Sequence, residues 1–475
     1  MTYDEQQIAK IVNTVVQKIR AYQVYSGLED LPAIAGGGIF QDIEQAIEAA
    51  ENSQITLMAL SLEERKEIIQ SMRETAIKHS RYLAELAIQE TNLGRLEDKV
   101  AKNLLCARKT PGLEDLVPNT WTGDKGLTLV EMAPYGVIGS ITPSTNPTAT
   151  VINNGISIVT AGNSVVFNPH PSAKRASNEA VRLLNRAILE AGGPENVLTS
   201  TVSPSIKSAQ ILMKHKKIRC LVVTGGSAVV KAAMQSGKKA ICAGPGNPPV
   251  IVDDTADIQK AARGIVEGAS FDNNIVCLVE KEVFAFDSIT DRLKSEMKHY
   301  GAYEITGDQI KQLENLVFTG KKGRFPIVNR DFIGKDAKVL LEGIGIQVGD
   351  NIRLIIAEVP DDEHPFVISE MLMPVLPIVR VKTIEEALQK AKKAEHGFKH
   401  TAMMWSDSVG NMSLVAKNIE TTIFVKNAPS LAGIGFGGEG YTTMTIAGPT
   451  GEGLTSAKTF TRQRRCVLVD AFRII

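Results

Sequence analysis

The stretch "LVVTGGSAVVKAA", residues 221–233, holds the pattern that decides the fold. Leu221, Val222 and Val223 form a short apolar run of the length and type expected for a buried strand. Gly225 and Gly226 then turn the chain, Ser227 stands where a helix cap is expected, and "AVVKAA" continues as helix. A strand turning through glycine straight into a helix leaves the first helical N–H groups free, which suits a phosphate. On these residues alone a tight strand-to-helix turn is the simpler account.

The same alternation extends in both directions. "NSVVFNP" (163–169) reads as a strand, residues 174–191 as a helix, "IRCLVVTGG" (218–226) as a strand, and a helix starts at Ser227. Such alternation is the signature of a parallel sheet wrapped by helices. A second cycle opens at "NPPVIVDDTADIQKAARGIVEGAS" (247–270). It runs through "KEVFAF" (281–286), helices around 288–298 and 307–316, and "MPVLPIVRV" (373–381) to a helix beginning at Thr383. Upstream, residues 41–107 are helical, with Ser61 capping "LEERKEIIQ" and Glu63 and Glu64 in the first turn. "GLTLVEMAPYGVIGSITP" (126–143) reads as strands around a turn, and "TFTRQRRCVLVDAF" (459–472) as a final strand. At the N-terminus, "DEQQIAKIVNTVVQKI" (4–19) lines up Ile8, Ile11, Val12, Val15, Val16 and Ile19 on one helical face. It either packs on its own domain or docks on a partner. The aperiodic segment ending at Gly36, Gly37 and Gly38 reads as a linker.

With 475 residues, the chain is expected to fold as two or three domains. Its 53 basic residues balance 53 acidic ones, which argues against nucleic-acid binding. No apolar run reaches the ~18–20 residues of a membrane span, and no secretory signal opens the chain. The five scattered cysteines (106, 220, 242, 277 and 466) form no CxxC pair and suit a reducing, cytoplasmic setting.

Among them, Cys277 in "SFDNNIVCLVEK" (270–281) stands apart. A lone cysteine is more often a small buried hydrophobe. The turn-prone "FDNN" before this one favours a thiol facing a cleft, with N–H donors that stabilise thiolate and oxyanion. Cys106, Cys220 and Cys466 read as structural. "GIGFGG" (433–438) matches GxGxxG, but no helix follows it, so it is a glycine loop rather than a dinucleotide site. His396 and His400 are four apart with no third ligand in view, and no metal site is expected.

Taken together, "ITPSTNP", "GNSVVFNPHP", "VVTGGSAVV", "FDNNIVC" and "EMLMPVLPIV" occur in the order seen in the aldehyde dehydrogenase superfamily, which the chain resembles from about residue 40 onward. "VINNGISIVTAGNSVVF" and "GASFDNNIVC" resemble one branch more closely, the CoA-acylating acetaldehyde and propionaldehyde dehydrogenases of bacterial microcompartments. The resemblance implies an α/β fold of two domains with parallel-type sheets and a small β element for oligomerisation. The implied boundaries are a targeting-type helix at 1–19, a linker at 20–38 and an NAD-binding domain at 39–243. A catalytic domain follows at 244–445, and 118–135 with 446–475 form the oligomerisation element of a homodimer or homotetramer. The helix 4–19 would reach a microcompartment shell protein.

The resemblance also implies the chemistry. Cys277 would be the nucleophile, passing through a thiohemiacetal and a thioester that CoA releases. Its N–H and an amide would hold the oxyanion; "PSTNP" puts Thr145 at the strictly aligned place and Asn146 one residue later, with the amide the better donor. Thr142, Pro143, Ser144, Asn168, Pro171, Val229 and Leu372 would line the NAD cleft, with Gly225 and Gly226 near the pyrophosphate and Glu370 on the nicotinamide ribose. Two departures matter. "CAGPGNPP" puts Cys242 where hydrolytic relatives carry a water-activating glutamate. Pro171 replaces a glutamate that binds the adenine ribose, which leaves NADP as well as NAD open. A short-chain aldehyde, NAD and coenzyme A are therefore the expected reactants. The competing readings are a hydrolytic aldehyde dehydrogenase and a non-catalytic microcompartment-associated protein.

Overall fold

The structure is a computed structural model that describes residues 36–475. The helix read at 1–19 lies outside the described residues. Two parallel sheets carry the molecule. In the first, six strands run in the order Ile39–Phe40, Leu198–Thr201, Ser164–Pro169, Val137–Thr142, Ile218–Thr224, Lys239–Ala243. Every neighbouring pair is parallel. Val137–Thr142 and Ser164–Pro169 are buried along their whole length, which is why neither shows the polar–apolar alternation of a half-buried strand. Helices cover the two faces. Ile43, Ile47, Leu212 and Val230 close one. Met72, Ile152, Ile156 and Leu184 close the other.

The second sheet has seven parallel strands in the order Ala302–Ile305, Leu354–Glu358, Val375–Val381, Glu282–Phe286, Pro249–Val252, Thr401–Trp405, Ile423–Lys426. Two all-parallel sheets, each wrapped by helices, are the α/β architecture expected from the alternation. Helix starts follow local chemistry. Ser61 caps Leu62–Lys78 in a full capping box with Glu64, and Thr383 caps Ile384–Ala394. Ser227 does not cap; Gly226 holds the cap position, and Ser227 is the first residue of the helix Ser227–Met234.

A third, antiparallel sheet joins Asn119–Gly123, Gly126–Pro134 and Thr461–Val469. From the C-terminal tail only this last strand joins it. Residues 446–460, assigned above to the same element, pack elsewhere: Ile446–Ala447 is buried and pairs with Gly453–Leu454, and Phe460 lies in the main core.

Candidate active site

The first sheet changes direction at its centre. From Val137–Thr142 the order runs to Ser164–Pro169 on one side and to Ile218–Thr224 on the other. In open parallel sheets the crevice beyond the strand ends at such a point is where ligands bind. Here a cavity of about 690 Å³ opens there. The strand ends supply Thr142, Asn168 and Thr224, and the loops after them supply Pro143, Ser144, Thr145, Pro171, Gly225 and Gly226. The nucleophile loop contributes Cys277, and the segment leading into the strand Val375–Val381 contributes Glu370 and Leu372. Asn146 and Val229 complete the set. The residues expected for the nucleophile, the oxyanion and the NAD cleft thus share one cavity, although they come from segments more than 200 positions apart.

Cys277 follows the helix Ile258–Ser270 and the turn Phe271–Asn274. Asp272, Asn273 and Asn274 take φ of 47°, 53° and 66° in succession, a left-handed run that asparagine and aspartate tolerate best after glycine. Their side chains are buried and tie the loop down. Asn274 Nδ2 donates to the carbonyls of Ala269 (2.8 Å) and Glu280 (2.9 Å), pinning both ends of the turn. Lys281 Nζ donates to Asn274 O and Oδ1 from below. The polar turn in the sequence is therefore a buried scaffold, and only Cys277 at its end is partly exposed to the cleft.

Enclosure, then the Glu370 carboxylate, pushes the thiol pKa up to about 12, against the pull of Lys281, its own backbone N–H and Lys102. At rest the nucleophile is protonated. Glu370 accepts the Gly246 N–H at 3.2 Å; desolvation raises its pKa, with Lys281 and that N–H opposing.

Among the described residues, Glu370 is the only carboxylate lining the cleft. Cys242 does not face the cavity: it is fully buried in the core on the other side of the sheet, and its backbone N–H donates to Thr450 Oγ1. Burial raises its thiol to about 11, so it is no base.

Three features suit a nucleotide. Gly226 has open space where a Cβ would stand. The helix after it starts without a side-chain cap, so its N–H groups remain for a phosphate. Thr142 Oγ1 is buried without a partner. Among the described residues no carboxylate lines the cleft beside Pro171, and His170 and Arg330 line it as well.

His400 was legible only as half of a metal pair. It is fully buried, shares a 2.8 Å hydrogen bond through Nδ1 with Thr401 Oγ1, and leaves Nε2 without a partner. Burial, then Lys281, lowers its pKa to about 4, so it is a neutral imidazole. A Cβ on Gly246 would meet both the Cys277 carbonyl and the His400 ring, which puts this imidazole behind the nucleophile loop. His396 faces elsewhere, with Nε2 on the Ile368 carbonyl.

A cleft with nucleotide-binding turns on one sheet and a cysteine loop on the other defines an aldehyde dehydrogenase architecture, and the chain belongs to the aldehyde dehydrogenase family, whose model matches residues 38–460. Its similarity to particular members is high. It is 50% identical to the acetylating acetaldehyde dehydrogenase EutE of Salmonella typhimurium, over 99% of this chain and 100% of that one. The propionaldehyde dehydrogenase of the Clostridium phytofermentans fucose utilisation microcompartment superposes with a TM-score of 0.90 at 50% identity, covering 92% of this chain and 100% of that one. The Rhodopseudomonas palustris propionaldehyde dehydrogenase, solved with bound CoA and an acylated cysteine, gives a TM-score of 0.90 at 48% identity, covering 93% and 100%.

Proposed function

We propose that the protein oxidises a short-chain aldehyde, acetaldehyde or propionaldehyde, to its acyl-CoA with NAD⁺ and CoA. Cys277 adds as thiolate to the carbonyl carbon. The oxygen of the resulting thiohemiacetal is held by the Cys277 N–H and the Asn146 amide, with the Thr145 hydroxyl beside them. NAD⁺ supplies the hydride acceptor, and a thioester remains on Cys277. The CoA thiol then displaces the acyl group and Cys277 is restored. His400, neutral and with one ring nitrogen unpartnered, stands behind the nucleophile loop, but at a pKa of about 4 it is too weak a base to hold the proton that Cys277 gives up, which leaves to solvent. Gly225 and Gly226 serve the pyrophosphate end, Thr142, Pro143, Ser144, Asn168, Pro171, Val229 and Leu372 line the nucleotide cleft, and Glu370 takes the nicotinamide ribose.

One observation carries the choice of CoA over water: among the described residues the cleft offers no carboxylate but Glu370, and Cys242 is sealed in the core. Water, with a pKa of ~15.7, needs a base to attack. A thiol near ~8.5 is already partly ionised. The relatives' names, acetylating and propionaldehyde dehydrogenases, agree with this reading. The test is NADH formation from propionaldehyde and NAD⁺ with and without CoA, alongside Cys277→Ala. Turnover that needs CoA and vanishes in the variant supports the reading; equal steady turnover without CoA makes the enzyme hydrolytic. A non-catalytic role requires Cys277→Ala to change nothing.

The antiparallel sheet supports a homodimer or homotetramer. Val467, Leu468 and Val469 are 55%, 43% and 63% exposed on an outer strand, which a second copy would cover. The microcompartment origin of the Clostridium relative supports residence in a cytoplasmic microcompartment, and the apolar face that the sequence of residues 4–19 lines up supports docking on a shell protein. Among the described residues no helix is long and apolar enough to cross a membrane.

A further inference from the structure

Asn146 is the N-cap of the helix Pro147–Thr160, yet its side chain makes no capping hydrogen bond. An asparagine there ordinarily turns its carbonyl oxygen onto the first free N–H groups of the helix. Here a cation takes that oxygen instead: Lys102 Nζ lies 2.5 Å from Asn146 Oδ1. Holding Oδ1 on an ammonium group settles which end of the amide faces which way, because a lysine can only donate. One Nδ2 hydrogen reaches Thr145 Oγ1 at 3.2 Å, and the other is left to the cleft that Asn146 lines.

Lys102 is itself anchored to the nucleophile loop. Its Nζ also binds Asp272 Oδ2, five residues before Cys277. Lys99 joins the same oxygen at 3.2 Å and reaches the Thr145 carbonyl at 3.3 Å. Asp272 Oδ1 accepts the Arg95 N–H at 2.7 Å, and the Asp272 N–H donates to Asp98 Oδ2 at 2.9 Å. Space for this carboxylate depends on Gly94, where a Cβ would stand 2.0 Å from Oδ1. Lys99 and Lys102 are each 3% exposed and Asp272 is fully buried. A solvated helix face is thereby excluded for these two lysines.

We infer that Lys102 is a positioning residue for the oxidation. By bridging Asp272 and Asn146 Oδ1, it presents the Asn146 N–H to the aldehyde oxygen and keeps that donor in register with the Cys277 loop. Asn146 and Cys277 line one cleft but come from distant parts of the chain, so nothing in their own segments sets their spacing. The inference rests on Asn146 being the oxyanion donor. A buried ion group of this kind adds little net stability over an apolar replacement, so its retention beside the reacting centre calls for another account.

The experiment is a double-mutant cycle of Lys102→Met and Asn146→Ala. It reads the single-turnover rate of NADH formation from propionaldehyde without CoA, and NAD⁺ affinity by quenching of protein fluorescence. Loss of one oxyanion donor costs roughly 10²–10³-fold, which is the expectation for Asn146→Ala. Outer partners that orient metal ligands are worth about 10–100-fold, and the same size by analogy is the expectation for Lys102→Met. NAD⁺ affinity should stay within about twofold in both, and the double variant should be no slower than Asn146→Ala alone. A wild-type rate in Lys102→Met, or a double variant that loses the product of the two factors, overturns the inference while the Asn146 reading stands. A wild-type rate in Asn146→Ala overturns the donor reading and this inference with it. If Lys102→Met does not fold, Lys102→Gln enters the same cycle under the same criteria. If neither folds, Lys102 is a structural residue and the inference falls.

Discussion

Gly246 lies so close against the Cys277 carbonyl that a Cβ on it would stand 2.5 Å from that oxygen and 3.0 Å from the His400 ring. The "GPGNP" connection between the two sheets is thus the floor under the nucleophile loop. Gly246→Ala should push that loop into the cleft. A displacement of about 1 Å can cost 10²-fold in rate, so a kcat loss of about that size is expected with NAD⁺ affinity kept. Steady-state kinetics with a circular-dichroism check of folding decide it, and an unchanged kcat would mean the loop gives way harmlessly.

With its thiol at about 12, Cys277 should alkylate slowly at neutral pH in the absence of ligands. The thiolate is the reactive form. Its fraction should therefore grow about tenfold per pH unit from 7 to 9, without a plateau. Iodoacetamide labelling followed by peptide mass spectrometry separates Cys277 from the exposed Cys466. A plateau reached by pH 8 would show that the resting cleft already stabilises thiolate.

Much of this site could be read from the chain because its parts obey local rules. Strands buried on both faces appear as apolar runs, the glycine turn at Gly225–Gly226 has a fixed place after a strand, and "FDNN" signals a turn wherever it stands. What was hidden depended on distant pairing. Lys99 and Lys102 look like the wet side of an amphipathic helix, and only Asp272, some 170 positions on, takes them into the interior. His400 offers no spacing signal, because its neighbours Gly246 and the Cys277 loop come from other segments. Cys242 aligned with a catalytic position, but the alternation along Lys239–Ala243 turns its side chain into the core while Ile241 faces the opposite side. Ser227 failed as a cap for a smaller reason, since Gly226 takes the extended conformation that the cap position needs.

We propose that cofactor choice turns on Pro171. A carboxylate there would accept hydrogen bonds from the adenine ribose hydroxyls and repel a 2′-phosphate. Pro171 opens the short turn Pro171–Ala173 and lines the cleft beside His170, with no acid among the described residues there to exclude NADP⁺. Pro171→Glu should raise the KM for NADP⁺ at least about tenfold, roughly 1.4 kcal/mol, with a smaller effect on NAD⁺. Equal KM changes for both cofactors would place the adenine ribose elsewhere.

Glu282 provides the sharpest pH prediction for stability. It opens the strand Glu282–Phe286, is fully buried, and neither carboxyl oxygen has a hydrogen-bond partner. Burial, reinforced by Glu395 and opposed by Lys281, raises its pKa well above 4.5. A group whose folded pKa is raised contributes most below its unfolded value and loses that contribution as pH rises toward the folded one. Glu282→Gln removes this titration and puts a neutral amide in the same space. The unpartnered amide sets an offset that does not change with pH, so the informative quantity is how the difference between the two proteins moves. Above pH 4.5 the wild type should lose ground to the variant by up to about 1.4 kcal/mol per pH unit. Melting temperatures at pH 5, 6, 7 and 8 should therefore diverge steadily in favour of Glu282→Gln. Curves that stay parallel across that range would mean that Glu282 is ionised in the folded protein as readily as in the unfolded chain.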